Sequence, residues 1–362
     1  MGKDWSNIPG KNAASVVLRK PVSHYSFSDT LEMEECCKAH FSDYYKGSAF
    51  DCNVTQISAG SLLTKTICAP VKDIHLEIFK SNQSLLYEEE ANTNSVSFCW
   101  VETEKAEDRQ CATTMSGYKM KASSIAGFNR ISKTGGNTWN LLGANDTLYC
   151  MSLRWERLKK RIQSLKAYDA YARLEESIGF ESDNSTTAEL KKLVKSHFNG
   201  KSITQTAKAF DLTIACLEEG VAGTAQQSLR NESSDLIEDL VKLIHEDRNG
   251  MPPISLTEIS DYLDMSKQSL NRACKAVFKM NVLELVKCIR LEQARKALSN
   301  PTISSGLRLF TKERTAAYYG FSKWTTFEEL YFRRYLENPE DTIEKTRPIN
   351  IGLSNRHDEE IL

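Results

Sequence analysis

The spacing of apolar residues changes along the chain and divides it into three regions. From about residue 50 to residue 153, short runs alternate apolar and polar residues and are separated by Ser, Asn and Gly. This two-residue period, with many β-branched and aromatic residues, predicts β-strands joined by turns. Closely spaced strands with no helical pattern between them predict a sandwich or a barrel. A helix is predicted before them, around Thr30 to Tyr45.

The rest of the chain has a helical pattern. From residue 155 to about residue 249, apolar residues recur every three or four positions, as in RWERLKKRIQSLKAYDAYARLEES and SSDLIEDLVKLIHEDRN. That spacing places the apolar side chains on one face of a helix. From Pro252 to about Thr342 the predicted helices are shorter, and the polar tail beyond them is expected to fray.

Composition narrows the class of protein. The chain has 362 residues, of which 40% are apolar and 26% charged, so we expect a globular protein of two domains. No segment is apolar enough to span a membrane, and the polar start lacks the core of a signal peptide. The ten cysteines form no CxxC pair, and we expect reduced core residues. A cytoplasmic location is predicted.

The segment SLTEISDYLDMSKQSLNRACKAVF predicts two short helices joined by a tight turn. Ser255 and Glu258 have the spacing of a capping box at the start of the first helix. The first helix is expected to end near Leu263, and Ser266 is placed to cap the second. This is the supersecondary unit that presents a helix to the major groove of DNA.

The second of these helices has two distinct faces. Leu270, Cys274 and their helical neighbours Ala273 and Val277 form an apolar stripe. The opposite side carries two amides and three cations: Lys267, Gln268, Asn271, Arg272 and Lys275. Amides match adenine, Arg matches guanine and Lys matches phosphates, so the strip fits DNA. A solvated helix face is the alternative interpretation.

The charge around this helix is locally basic although the whole chain has a formal net charge of -1. Between Met265 and Leu298 there are eight basic residues against two acidic ones. Such a local excess is the electrostatic pattern expected of a nucleic-acid-binding surface.

The region from about Ser255 to Thr342 resembles the C-terminal domain of AraC/XylS-type regulators, in which a long helix joins two helix-turn-helix units. The stretch RLEQARKAL, which begins at Arg290, resembles the family's RLxxAxxxL signature on that helix. Gly320-Phe321 resembles the "GF" turn of the second unit. Within the family, the ethanolamine-operon-regulator branch is the most similar.

This resemblance implies roles for individual residues. Gln268, Asn271 and Arg272 would contact bases, and Lys267 and Lys275 the DNA backbone. The second unit would use Lys323, Trp324, Thr325 and Thr326, with Arg333 and Arg334 on phosphates. An ordinary core tryptophan is the alternative for Trp324.

The second unit departs from the family pattern. Glu328 and Glu329 stand where Ser and Arg are favoured, and a carboxylate is repelled by phosphates. Lys312 and Thr315 replace apolar residues before the turn, and the spacer NPTISSGLRLF is longer than usual. We expect the first unit to dominate affinity.

The N-terminal region resembles the sensor domain of the same branch through FKSNQSLL and SVSF. The resemblance implies a cupin-like β-barrel that binds a small-molecule effector or forms a dimer. His75 and Glu77 are the only pair suggestive of a metal, and a structural role is the favoured interpretation. Residues 202–212 echo a helix-turn-helix, but the following TIACLEEGVAG lacks amides and cations, so packing or dimer contacts are preferred.

The sequence therefore predicts an α+β multidomain protein with four parts. These are a cupin-like sensor over residues 1–153, a helical linker over 154–235, an all-α domain with two helix-turn-helix units over 236–345, and a polar tail over 346–362. We expect a non-enzymatic transcription regulator without a cofactor, whose partners are double-stranded DNA and RNA polymerase, with homodimerisation open. The rivals are an interaction protein that has lost DNA binding and a cupin-type metalloenzyme.

Overall fold

The chain folds into two sheets and a set of helices. The computed structural model describes residues 22–45, 52–90, 94–103, 112–115, 117–128, 137–199, 206–220, 232–245 and 254–346. Both sheets are antiparallel, and all their strands but the last precede residue 155. The architecture is α+β, as the sequence predicts.

The larger sheet has seven strands in the order β1-β3-β4-β11-β6-β9-β12. Their bounds are β1 Ser23–Phe27, β3 Thr64–Val71, β4 Ile74–Ser81, β6 Ser95–Thr103, β9 Ser124–Ala126, β11 Asp146–Arg154 and β12 Gly179–Glu181. The smaller sheet has the order β2-β5-β10-β7-β8. Its bounds are β2 Cys52–Gln56, β5 Leu85–Glu90, β7 Thr114–Met115, β8 Tyr118–Lys119 and β10 Asn137–Leu142.

Among the described residues there are thirteen helices. Those before residue 250 are α1 Thr30–Tyr45, α2 Trp155–Leu165, α3 Tyr168–Glu176, α4 Ser185–Phe198, α5 Thr206–Glu219 and α6 Glu232–His245. The others are α7 Leu256–Tyr262, α8 Lys267–Phe278, α9 Val282–Ser299, α10 Pro301–Gly306, α11 Lys312–Tyr318, α12 Trp324–Tyr335 and α13 Pro339–Thr346. The predicted helix from Thr30 to Tyr45 is confirmed.

The strands form two open sheets and not the cupin-like barrel that the resemblance to the sensor domain implies; of the sandwich and the barrel that the strand pattern leaves open, two facing sheets match the sandwich. The sheets face each other across an apolar cluster that includes Phe27 and Phe79 from the larger sheet and Val54 and Leu85 from the smaller one. The strand order of each sheet ends at two different strands, so neither sheet closes on itself. Alternation of apolar residues indicates which side of a strand is buried, but it does not indicate whether the sheet closes into a barrel.

Helices α2 to α5 cover the outer face of the larger sheet. Phe98 and Met151 of that sheet share one buried cluster with Leu158 of α2 and Ile214 of α5. The region predicted as a helical linker also supplies β12, which pairs with β9 through Phe180 opposite Ile125. These helices therefore form a layer packed on the sheet. Of the segment over residues 202–212 that echoes a helix-turn-helix, residues 202–205 lie outside the described residues, and the rest belongs to α5, which continues to Glu219.

The C-terminal helices pack on the outer face of the smaller sheet. Leu86 and Trp139 of that sheet belong to the same buried cluster as Leu270 and Phe278 of α8. The Trp139 and Phe278 rings lie with centroids 5.9 Å apart. The layers thus run from α2–α5 through the larger sheet and the smaller sheet to the C-terminal helices. One side of α8 is buried against this stack.

Candidate nucleic-acid interface

The segment predicted as the first helix-turn-helix unit consists of α7, a tight turn and α8. Ser255 accepts from the Glu258 amide while the Glu258 side chain accepts from the Ser255 amide, which confirms the predicted capping box. The turn contains Asp264 at φ 49°, a conformation that Asp tolerates better than most residues. Ser260 Oγ donates to the Met265 carbonyl at 2.6 Å and closes the turn. The angle between the two helices is thereby held by local hydrogen bonds.

Helix α8 begins where the sequence predicts, because Ser266 accepts from the Ser269 amide at 3.1 Å. Leu270 and Cys274 are fully buried. Gln268, Arg272 and Lys275 are exposed on the other side of the helix. Lys267 is also exposed, and its ammonium donates to Thr257 Oγ1 at 2.7 Å. A capped helix therefore presents an amide, a guanidinium and lysines outward.

Asn271 lies differently from its neighbours. Its side chain is half-buried, and its Oδ1 accepts from the amide of Val282 at 3.1 Å. Val282 is the first residue of α9, where backbone amides have no partner within their own helix. Asn271 thus joins α8 to the start of α9.

The basic excess counted in the sequence is only partly at the surface. Lys267, Arg272, Lys275, Lys279 and Lys287 are exposed, whereas Arg290 and Arg295 are buried. Lys296 is half-buried and pairs with Glu34. The exposed basic residues therefore lie on α8 and the turn and helix that follow it.

The segment predicted as the second unit consists of α11, a turn and α12. Gly320 has φ +92°, a conformation that glycine adopts without the steric cost other residues meet. Phe327 and Tyr331 of α12 are fully buried, and Phe321 and Leu330 pack against the same cluster. Lys323 precedes α12 without a side-chain hydrogen bond to the helix amides. The unusually long spacer is accounted for by α10, which Asn300 caps.

Lys323, Thr325 and Thr326 are exposed, but Trp324 is half-buried. The Trp324 ring lies 5.3 Å from the Phe327 ring, between centroids, with Lys312 Nζ 4.7 Å from its own centroid. Lys312, unexpected at its position, pairs with Glu340. The Glu340 carboxylate also raises the pKa of Lys312. Trp324 is thus held between an aromatic cluster and a paired lysine.

Arg333 and Arg334, near the end of α12, lie in different surroundings. Arg333 is exposed and pairs with Glu329, one turn earlier on the helix, at 2.6 Å. Arg334 is half-buried and donates to the Ile57 carbonyl and to Cys288 Sγ. Its own carbonyl accepts from the Gly60 amide at 2.8 Å. Arg334 therefore connects α12 to the loop after β2.

A buried polar joint connects the N-terminal layers to α9, which links the two units. Glu292 is fully buried on α9 and accepts from Thr30 Oγ1, from the Gln56 amide at 3.2 Å and from Tyr335 Oη at 3.0 Å. Burying a charge is unfavourable unless hydrogen bonds compensate it. Here the donors come from α1, from β2 and from α12.

Three further ion pairs belong to this joint. Lys296 donates to Glu34 at 2.5 Å and to the Val54 carbonyl at 2.8 Å. Burial raises the pKa of Glu34, and Lys296 opposes that shift. Arg295 pairs with Asp29 at 3.1 Å and with Glu337 at 2.9 Å. The sequence predicts a basic surface for Arg295 and Lys296, because partners so distant along the chain leave no local pattern.

The joint continues at the end of α6. His245 is nearly buried, and its Nδ1 lies 3.2 Å from Glu88 Oε2 of β5 and 2.9 Å from the Val241 carbonyl. Its Nε2 lies 3.4 Å from Thr55 Oγ1. Burial lowers the pKa of His245, and the Glu88 carboxylate opposes the shift.

Neither a metal centre nor a membrane span is found in the described part of the chain. His75 is buried on β4 with Glu77 two residues further on, but the described residues bring together no three ligands suited to a metal. Within the same residues, every helix is too short or too polar to cross a bilayer.

No protein-family model and no curated protein matches the chain. Among solved structures it is similar to the AraC-like transcriptional activator CuxR, with a TM-score of 0.34 and 12% identity over 75% of this chain and 95% of that one. It is also similar to ToxT from Vibrio cholerae O395, with a TM-score of 0.26 and 14% identity over 83% and 99% of the two chains. Unsaturated fatty acid bound ToxT from Vibrio cholerae strain SCE256 gives a TM-score of 0.27 and 14% identity over 81% and 94%. At TM-scores this low, the matches establish neither a shared fold nor a shared function.

Proposed function

We propose that the chain is a sequence-specific DNA-binding transcription regulator of the AraC/XylS type, and that α8 is its main recognition helix. The observation that carries the proposal is the outward face of α8. Gln268 and Arg272 stand exposed on a helix whose opposite side, Leu270 and Cys274, is locked into the core. A rigid helix with an exposed amide and guanidinium matches the donor and acceptor pattern of the major groove.

Within this proposal, bases are read by Gln268 and Arg272. Gln can bridge adenine N6 and N7, and Arg can fork onto guanine O6 and N7. Lys267 and Lys275 contact phosphates on either side. Asn271 is left out of the base contacts because its Oδ1 holds the Val282 amide.

The second unit contributes less to affinity. Lys323 and Thr325 remain available to DNA, whereas Arg333 is paired with Glu329 and Arg334 is engaged with Ile57 and Cys288. Glu328 and Glu329 add negative charge beside the phosphates. The proposed role of α12 is an auxiliary contact, and Trp324 serves mainly as packing.

The N-terminal layers act as the sensor in this proposal. The joint at Glu292, Arg295 and Lys296 ties α1 and β2 to the helix between the two units. A small effector or a second copy that shifts the sheets would therefore act on the spacing of the two units, and so on DNA affinity. The polymerase contact and the cytoplasmic location remain part of the proposal.

The experiment uses full-length protein and a library of randomised DNA duplexes. Bound duplexes are sequenced after selection, and the affinity for the enriched site is then measured. Arg272→Ala should cost about 1–3 kcal/mol of binding and relax the preference at one base pair. Lys275→Ala should weaken binding to all sequences and reduce the slope of log affinity against log salt by about 0.9.

The matched control is Lys192→Ala, which removes an exposed lysine of α4, on the other side of the sheets. Affinity and salt slope should equal those of the wild type. If no sequence is enriched, or if Arg272→Ala and Lys192→Ala behave alike, the regulator proposal fails. The rival, an interaction protein without DNA binding, then stands.

A further inference from the structure

A row of thiols crosses the inner face of the larger sheet. The strand register places Cys150 of β11 directly opposite Cys99 of β6. On its other side, Cys150 lies opposite Glu77 of β4, which in turn lies opposite Cys68 of β3. Side chains directly opposite one another project from the same face of a sheet. None of these residues has a role in the proposed DNA contacts.

Two of the thiols are in contact. The Sγ atoms of Cys99 and Cys150 lie 3.0 Å apart. Residues directly opposite in an antiparallel pair have Cα atoms about 4.5–5.5 Å apart. That separation falls within the range that a disulfide spans, about 4.4–6.8 Å. The contact between the two Sγ atoms and the strand register together place the thiols within reach of a bond.

The two thiols differ in exposure, which gives them different chemical roles. Cys99 is buried, whereas Cys150 is half-exposed. Cys99 packs with Met115 and Tyr118 of the smaller sheet, so the pair lies between the two sheets. A reagent in solution therefore reaches Cys150 before it reaches Cys99.

We propose that Cys99 and Cys150 are an oxidisable dithiol that a peroxide converts into a disulfide between β6 and β11. The Cys150 thiolate attacks one oxygen of hydrogen peroxide, the O–O bond breaks, and hydroxide takes up the released proton as water. The product is a sulfenic acid on Cys150. The Cys99 thiolate then attacks the Cys150 sulfur, and the S–O bond breaks as hydroxide leaves and becomes a second water. Two thiols are oxidised by two electrons, and one peroxide is reduced to two waters.

Three other thiols of the N-terminal half, those of Cys36, Cys37 and Cys68, are less reactive by the same chemistry. Thiolates, not thiols, are the nucleophiles. Burial raises the pKa of Cys36 to about 11 and also raises the pKa of Cys68. A hydrogen bond with Cys52, together with burial, raises the pKa of Cys37. The Cys99–Cys150 pair is therefore the expected place of the first disulfide.

The experiment treats full-length protein with hydrogen peroxide at mildly alkaline pH. Intact mass should fall by two hydrogen atoms, and dithiothreitol should restore it. A non-reduced digest should contain one cross-linked peptide pair, joining Cys99 to Cys150. In Cys99→Ser the disulfide should be absent, and dimedone, a reagent for sulfenic acids, should label Cys150.

Cys68→Ser is the matched control because it removes a buried thiol from the same row. It should form the disulfide as the wild type does. The peptide map of the wild type tests the proposal without any variant. A variant that fails to fold therefore leaves the test intact. A cross-link through Cys37, Cys52 or Cys111, or oxidation of Cys150 to a sulfinic acid with Cys99 unlinked, would overturn the assignment.

Discussion

Asn271 and Arg272 are adjacent on α8, but their side chains have different surroundings. In the structure Arg272 is exposed, whereas Asn271 is half-buried and accepts from the Val282 amide. Sequence spacing alone does not separate them, because the two positions differ by one helical step of about 100°. The difference lies in α9, whose start falls beside Asn271 and not beside Arg272.

This difference predicts opposite effects for two alanine variants. Asn271→Ala should lower the free energy of unfolding by about 1 kcal/mol, because the Val282 amide loses its acceptor. Arg272→Ala should change that free energy by less than about 0.5 kcal/mol and should weaken DNA binding. Urea unfolding and affinity for the selected duplex measure both effects. Asn271→Asp keeps an acceptor, so its free energy of unfolding should stay close to that of the wild type. A changed base preference in Asn271→Ala at unchanged stability would contradict the structural role of Asn271.

At the scale of single elements, the two proposed recognition helices, α8 and α12, differ in how they begin. Ser266 caps α8 with its side chain, whereas Lys323 makes no such bond at the start of α12. Lys323 nevertheless has the extended backbone that a capping residue adopts, with φ −123° and ψ 123°. A lysine at this position leaves the first amides of α12 unsatisfied by a side chain, while it places a positive charge where DNA is proposed to lie.

We therefore expect Lys323→Ser to raise stability and lower DNA affinity. The new hydroxyl would cap α12 and add about 1 kcal/mol to the free energy of unfolding. Loss of one phosphate contact would reduce the salt slope by about 0.9. Lys323→Ala is the control, since it removes the charge without adding a cap: the same loss of affinity is expected, with no gain in stability. Wild-type DNA binding by both variants would show that α12 makes no contact through this residue.

Local sequence patterns predicted several helix bounds, caps and turns. The bounds of α1, the capping box at Ser255, the cap at Ser266 and the turn at Gly320 depend on residues within a few positions of one another, and the structure has them all. The short β12 was missed because three residues carry no period, and it exists only because β9 offers a partner. Lys312 departs from the family pattern in sequence, and in the structure it pairs with Glu340, which lies two helices later.

At the scale of the whole molecule, the sequence could not predict the joint. Thr30 and Glu292 meet across 262 positions, and Lys296 meets Glu34 across the same separation. In the local sequence, buried charges of this kind have the same pattern as a solvated helix face. The sequence therefore predicts Arg295 and Lys296 as surface cations. Alternating strands likewise predicted a two-sided sheet structure but not whether the sheets close. Through this joint, α9 is bonded to the N-terminal elements as well as to the C-terminal helices.

His245 gives this joint a predicted dependence on pH. Burial lowers the pKa of His245 in the folded chain below the ordinary value of 6.5. The groups that face it are Glu88 from β5, Thr55 from β2, and Lys296 and Arg290 from α9. As pH falls below 6.5, the unfolded chain binds a proton at this residue before the folded chain does. The free energy of unfolding should therefore decrease, by at most about 1.4 kcal/mol per pH unit, until the lowered pKa is reached.

The measurement compares urea unfolding of the wild type and His245→Gln at several pH values below 7. The wild type should lose stability more steeply, and the difference between the two proteins isolates His245. This comparison is needed because Glu34, whose raised pKa favours proton binding by the folded chain, contributes the opposite slope as pH falls towards the ordinary 4.5. Replacing the exposed His24 with Gln should leave the wild-type slope in place. Parallel curves for the wild type and His245→Gln would mean that His245 takes up its proton equally well in the folded joint, with Glu88 fully compensating the burial.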